Sequence, residues 1–292
     1  MAKRCEDAAM TTASPTAAAA APSTGLPAEA VSPELARFRA RERRRKWLVL
    51  GCQLAFGLAF LAFWQFASGR LIQPFFVSSP TAVFAKLWDW TISGYLWYNL
   101  SITLLATGMG FAVGAGLGFV LGILFGRYRF VADVFEPYIT AIYSLPKIAL
   151  APLFIMWFGI GLASKVAVSA AVVFFLVFLN TFSGVREVNP IYVHSTQIMG
   201  ANSWAVMRTV IIPSATSWVI TGLKVSVPYA LVGTVIGEFM SANRGIGFVI
   251  AQSSALFDTT SVFTGLIVLA IVGSLINAGL KWAERYLLRW RA

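Results

Sequence analysis

The chain has 292 residues, of which 58% are hydrophobic and only 12% charged, against about 25% charged in an ordinary soluble domain; such a composition belongs in a bilayer. Its net charge of +11 does not indicate nucleic acid, because the basic residues sit beside apolar stretches and form no groove-sized face with interleaved aromatics. Two cysteines, Cys5 in a polar segment and Cys52 in the first apolar run, exclude a disulfide framework and a zinc site.

Residues 1–33 are rich in Ala, Thr, Ser and Pro and have almost no large apolar side chains. They bury too little surface to offset the entropy of ordering, and a disordered tail is expected. The basic run Arg37, Arg39, Arg41, Arg43, Arg44, Arg45, Lys46 then precedes an apolar helix, where the positive-inside rule puts a cytoplasmic flank. Residues 1–46 are therefore expected to be a disordered, basic cytoplasmic tail, and residues 47–292 a transmembrane domain.

A span needs about 20 mainly apolar residues, and the first covers 47–67. It starts too late and runs too long for a signal-peptide core and should remain as an anchor. Residues 70–99, with Trp88, Trp90, Trp97 and Tyr98 among polar residues, suit an amphipathic helix at the outer interface. The second span, 100–126, has Gly110, Gly114, Gly118, Gly122 and Gly126 at four-residue intervals, a groove on one helix face that suits ordinary close packing. The third apolar stretch, 131–158, contains Pro137, Pro146 and Pro152 and should bend, with its freed carbonyls facing partners or a cavity.

Further spans cover 166–182, 218–239 and 262–282. Arg127 and Arg129, Arg186, and finally Lys281, Arg285, Arg289 and Arg291 all fall on one side, giving six spans with both termini cytoplasmic. The expected fold is an all-α polytopic membrane protein with about six transmembrane helices.

Between the fourth and fifth spans, residues 184–217 form a long loop of mixed polarity, the kind that carries function. It reads as two short helices, 192–200 and 203–210, joined at Gly200-Ala201-Asn202, with Ser203 as N-cap of the second and Pro213 stopping it. Gly200, nine intervening residues and Val210-Ile211-Ile212-Pro213 resemble the Gly-x9-Ile-x-Leu-Pro half of the EAA loop of binding-protein-dependent ABC importer permeases. His194, Ser195 and Thr196 stand where Glu-Ala-Ala is usual, a departure from the pattern at the position of the consensus glutamate.

Other blocks narrow the resemblance to the nitrate/sulfonate/taurine group of type I permeases. They are Ser79-Pro80-Thr81-Ala82-Val83, residues 145–153 around Pro146-Lys147, Trp157-Phe158-Gly159-Ile160-Gly161, Phe182-Ser183-Gly184-Val185, Thr221-Gly222-Leu223-Lys224, and Gly237-Glu238-Phe239 through Gly245-Ile246-Gly247-Phe248. In order, they cover about residues 70–290.

The resemblance implies the type I ABC importer permease fold in a bacterial inner membrane and a homodimer of half-channels. It also implies two cytoplasmic ABC ATPase subunits and a periplasmic or lipid-tethered binding protein. Substrate would be a small anion such as nitrate, sulfonate or taurine, with aromatic acids or pyrimidine precursors as alternatives. The chain has no G-x-x-x-x-G-K-[ST] loop, so ATP and Mg would be held by the partner ATPase and no cofactor by this chain. The Gly200 loop would be the coupling helix, with Ala201 in its turn. Trp204 and Met207 would contact the ATPase or else pack against the chain's own spans.

Charges within spans are functional candidates. Lys147 could attract an anion or snorkel to the interface, and Lys224 has the same two readings. Glu238 could pair with Arg244 as an outer gate or as a structural ion pair. Asn180 and Thr181 could line the path or hydrogen-bond between helices. His194, the only histidine, has no partner at metal-ligand spacing. An ion-coupled secondary transporter would show inverted repeats and buried acidic sites, and a membrane enzyme would show clustered His, Asp or Glu. The sequence displays neither pattern clearly.

Overall fold

The computed structural model describes residues 33–73, 75–240 and 243–287. The expected disordered segment up to residue 32, together with Cys5, Arg289 and Arg291, lies outside them. So do the side chains of Arg37, Arg39, Arg43, Arg129 and Arg285. Among the described residues the structure is helical, and its β pairing is a single isolated bridge between Ser68 and Ile72.

The chain divides into two compact units, Met1–Ala59 and Phe60–Ala292. The described part of the first is helix, belonging to α1 (Pro33–Arg70). Residues 33–46 belong to this helix, where Arg, Glu and Ala are good helix formers adjoining an apolar helical run. Its apolar residues Trp47, Leu48, Leu54, Phe56 and Leu58 are all exposed, as befits a helix bathed in lipid.

In the second unit, α2 (Pro80–Ile92) is capped by Ser79, whose hydroxyl accepts the Ala82 N–H, with Pro80 in the first turn. The expected interfacial helix is therefore confined to 80–92. Val83 and Trp90 are buried, and Tyr95–Leu100 already belong to α3 (Tyr95–Arg127). Trp90 joins Leu96, Leu231, Ile246, Val249, Ile250, Val268 and Val272 in the largest apolar cluster.

The third apolar stretch folds as α4 (Arg129–Ser144), a 3-10 turn at Lys147–Leu150 and α5 (Ala151–Phe158). The two arms meet at 85°. Pro146 sits at the break, where the preceding Leu145 is extended, and Pro152 starts α5. Pro137 lies inside α4 and leaves it unbroken.

The remaining long helices are α6 (Leu162–Arg186), α9 (Ile212–Met240) and α11 (Thr259–Leu287). Between α9 and α11 lies α10 (Ile246–Ala255), a helix not anticipated from the sequence and about 15 Å long, too short to cross a bilayer. Among the described residues, five helices are long and apolar enough to span, and six if the bent pair is one span.

The centre of the second unit is a sheaf of α3, α6 and α9. Its closeness follows from glycine. A Cβ at Gly110 would lie 2.4 Å from Ser169 Cβ, at Gly114 2.5 Å from the Ala170 carbonyl, at Gly118 2.8 Å from the Phe174 carbonyl, and at Gly122 2.7 Å from Thr181 Cβ. The stripe thus packs α3 on α6, as its spacing suggested. In lipid, where apolar burial drives little association, such backbone approach supplies van der Waals contact instead.

Candidate functional site

Two regions outside the lipid-facing surface concentrate polar and specialised residues, one at each end of the sheaf. At the end where α3 and α6 finish in Arg127 and Arg186, the 184–217 segment contains α7 (Pro190–Ile198) and α8 (Ser203–Val206). The Asn189 side chain caps α7 by accepting the Ile191 N–H at 2.9 Å. At its far end the Gly200 N–H donates to the Gln197 carbonyl and the Ala201 N–H to that of Thr196, with Gly200 at φ +86°. This is a Schellman closure, which a left-handed residue must complete.

Asn202, not Ser203, caps α8: its Oδ1 accepts the Ala205 N–H at 2.8 Å. Pro213 does not stop the second helix. A π turn at Met207–Ile211 carries α8 directly into α9, and the wide turn accommodates the missing N–H and the ring of Pro213.

The segment is two-faced. Val193, Ala201 and Met207 pack against Val185, Val206, Ile211 and Ala215, so Met207 belongs to the chain's own core. On the opposite side of α7, Ile191, Tyr192, Ser195, Ile198 and Met199 recur at helical spacing on one face. Ile198 and Met199 are each 86% exposed, and Trp204 is 69% exposed. Ser195 and Gly200 are exposed with this face and Thr196 is half-buried. His194 lines a cleft of about 420 Å³ with Arg127, Arg186, Pro190 and Val193. Arg186 itself pairs with Asp133 at 3.5 Å and Glu136 at 3.3 Å.

The other candidate path residues lie on the 3-10 turn after α4, on α6 and on α9. Lys147 Nζ donates to the Tyr143 carbonyl at 2.7 Å and lies over the rings of Tyr143 and Phe175, a snorkelled, aromatic-backed lysine. Asn180 donates to the Leu176 carbonyl of its own helix at 2.8 Å, where interhelical bonding was the alternative to lining the path, and its Cβ rests where Gly222 leaves room. Thr181 is buried with its hydroxyl unpartnered. Lys224 is half-buried on α9.

At the opposite end lies a fully buried polar cluster. Glu238 of α9 does not pair with Arg244. Its ion-pair partner is Lys165 of α6, at 3.8 Å and 2% exposed, while the Arg244 guanidinium stacks over Tyr98. Glu238 also accepts from Thr103 Oγ1 at 2.9 Å and from the Gly247 N–H at 2.8 Å. Lys165 was missed because it stands at the margin of its apolar run, where a lysine ordinarily snorkels to water. The signal that could have found it is small residues at 233 and 237, which let α9 lie on α6 level with Lys165.

Residues 114–291 match the family described as the inner membrane component of binding-protein-dependent transport systems, and the chain belongs to that family. It is 31% identical over 232 residues to permease protein SsuC of Bacillus subtilis, assigned to aliphatic sulfonates transport, covering 79% of this chain and 84% of that one. With the riboflavin transport system permease protein RibX of Chloroflexus aurantiacus it shares 32% identity over 268 residues, 91% of this chain and 98% of that one. An inward-facing structure of the MetNI methionine ABC transporter superposes with a TM-score of 0.51 at 18% identity, over 70% of this chain and 97% of that one. The fold is thus that of ABC transporter permeases.

Proposed function

We propose that the chain is the membrane subunit of an ATP-driven importer for a small anionic solute, an organic sulfonate before others. It works as a pair of copies, with an ABC ATPase seated on each 184–217 loop and an external binding protein delivering the solute. ATP and Mg stay on the ATPases, and this chain binds no cofactor of its own. Residues 47–292 act as the permease domain and the basic residues before them as a cytoplasmic extension.

The observation that carries this reading is the exposed apolar face of α7 with Trp204. Ile191, Tyr192, Ile198 and Met199 are exposed on α7, outside the candidate spans, with exposed Trp204 at the first turn of the next one; a contiguous apolar face of this kind marks a protein contact. Val193, Ala201 and Met207 anchor the other side of the segment in the core, so a push on the outer face is transmitted to α6 and α9. His194, Ser195, Thr196, Gly200 and Pro213 shape the segment and its exit.

Arg127, Arg186 and Lys281 support a cytoplasmic location for this end by the positive-inside rule. Similarity to SsuC supports the sulfonate class. Similarity to RibX over nearly the whole of both chains favours a heteroaromatic solute as the second reading. Lys147, Asn180 and Lys224 are the residues of the path to vary in separating the two.

The test is co-purification. Co-expressed with its cognate ABC ATPase, wild type should retain it, and an Ile198→Asp/Met199→Asp variant, still monodisperse, should lose it at least tenfold. A wild-type chain that holds no ATPase under any condition sinks the importer reading.

A further inference from the structure

The cluster at the end opposite the loop does more than neutralise two charges. Its side chains come from three helices, α3, α6 and α9, and converge on the linker and first turn of α10. Asn99 Oδ1 accepts the Gly245 N–H at 3.0 Å, and Thr103 Oγ1 accepts the Ile246 N–H at 2.9 Å while donating to Glu238. Glu238 Oε2 accepts the Gly247 N–H at 2.8 Å, and Lys165 Nζ donates to the Arg244 carbonyl. The otherwise unsatisfied N–H groups at the start of α10 are thereby consumed by side chains of α3 and α9.

Glycine makes the seat. A Cβ on Gly245 would fall 2.0 Å from Glu238 Oε1, and one on Gly247 2.8 Å from Glu238 Cβ. Gly237 brings the α9 backbone against Lys165, where a Cβ would lie 3.0 Å from its Cα. Burying an ion pair stabilises a fold little, since desolvation offsets the attraction. What the arrangement does provide is a fixed position, because the bonds are directional and together tie α10 and its linker to three helices, α3, α6 and α9.

Resting on the importer reading, we propose that Asn99, Thr103, Lys165 and Glu238 are positioning residues for transport. They latch the short helix α10 onto the ends of α3, α6 and α9, so that movement imposed at the cytoplasmic loop is delivered to the outer end of the path as one rigid displacement. Without the latch, α10 slips against the sheaf, and ATP is hydrolysed without a matching movement of solute.

The ABC complex, reconstituted with its binding protein, tests this through two kinds of variant. Asn99→Ala/Thr103→Val cuts the α3 bonds to α10 and leaves the ion pair in place, whereas Lys165→Met/Glu238→Gln removes both charges at nearly constant shape. Thr103→Ser, which keeps the hydroxyl, is the rescue control.

Hydrogen exchange at residues 245–250 should quicken at least tenfold in both double variants and stay at the wild-type rate in Thr103→Ser. Solute imported per ATP hydrolysed should fall at least tenfold in both, with the ATPase still co-purifying. Unchanged exchange overturns the latch, and so does faster exchange with an unchanged solute-to-ATP ratio. Double variants that do not assemble show the cluster to be a folding element only, and also overturn it. Failure of the wild-type chain to hold an ATPase would instead count against the importer reading, since exchange at α10 is measured on the permease alone.

Discussion

At the scale of single residues, the sheaf of α3, α6 and α9 distinguishes glycines that make contact from those that do not. A Cβ at Gly114 would stand 2.5 Å from a backbone carbonyl of α6, whereas at Gly116 nothing lies within 4 Å. Gly114→Val should therefore destabilise the protein by about 2 kcal/mol or more through forced separation of the helices. Gly116→Ala should gain about 0.5–1 kcal/mol from reduced chain entropy. Thermal unfolding in detergent reads both, and equal effects would refute the packing. Thr181 gives a sharper case. Its hydroxyl is buried with no partner, so Thr181→Val, of similar shape, should be neutral or stabilising by up to about 1 kcal/mol. A loss of that size would show that the hydroxyl bonds something when the transporter is assembled. The spacing of the glycines was legible in the sequence; the orphaned hydroxyl was not, because a threonine in a helix normally bonds its own backbone.

Among the elements, the π turn at Met207–Ile211 sets the rotation of the loop relative to α9. Such a turn is one residue more than an α-helix needs. Deleting Thr209, an exposed residue within it, should restore the regular helix and rotate α8 and Trp204 by about 100°. The expected result is a chain that folds with a near-normal melting temperature yet loses the ATPase; retained binding would show that orientation of the loop is immaterial.

The start of α11 offers a pH-dependent test. Asp258 accepts from the Ser261 N–H at 3.1 Å and from Ser261 Oγ at 2.6 Å. Burial alone would raise the carboxyl's pKa, but the Ser261 bonds and the charge of Lys86 outweigh it and hold the group below its usual range. A depressed carboxylate stabilises the folded state above its ordinary pKa of about 4, and that contribution is lost as the pH falls through the depressed value. Asp258→Ala should thus lower the melting temperature at pH 7, and the gap to wild type should narrow only below about pH 4. A gap that closes between pH 7 and 5 would assign the effect to another group.

For the whole molecule, the large exposed apolar surface on α4 and α5, including Tyr138, Met156, Trp157 and Phe158, is more than a water-soluble chain could carry. It is divided between lipid and, on the proposed assembly, a second copy. Light scattering of the purified permease in detergent should give a protein mass twice the 31.7 kDa of one chain, and a single-chain mass would remove the homodimer. Fluorescent protein fused after Ala292 should be bright in the cell if the carboxyl end is cytoplasmic, and dark if the basic flanks have been assigned to the wrong side.

The sequence by itself determined the helical class, the spans, a bend somewhere in the proline-containing 131–158 stretch and the glycine stripe of α3. Each is dictated by local composition, by a proline's missing N–H or by a helical repeat, and none needs a distant partner. The resemblance around Gly200 also located the loop segment, whose turn depends on one left-handed residue. Only tertiary structure decided that Met207 faces inward while Ile198 and Met199 face outward, that Pro213 rides over a π turn, and that α10 exists as a seated helix. It also decided that Glu238 meets Lys165, 73 residues earlier in the chain, instead of the nearby Arg244. The physical reason is shared. A buried charge selects its partner by which backbones come close enough, and that proximity is set by glycines on α9 and by the stacking of Arg244 on Tyr98, not by spacing along the chain.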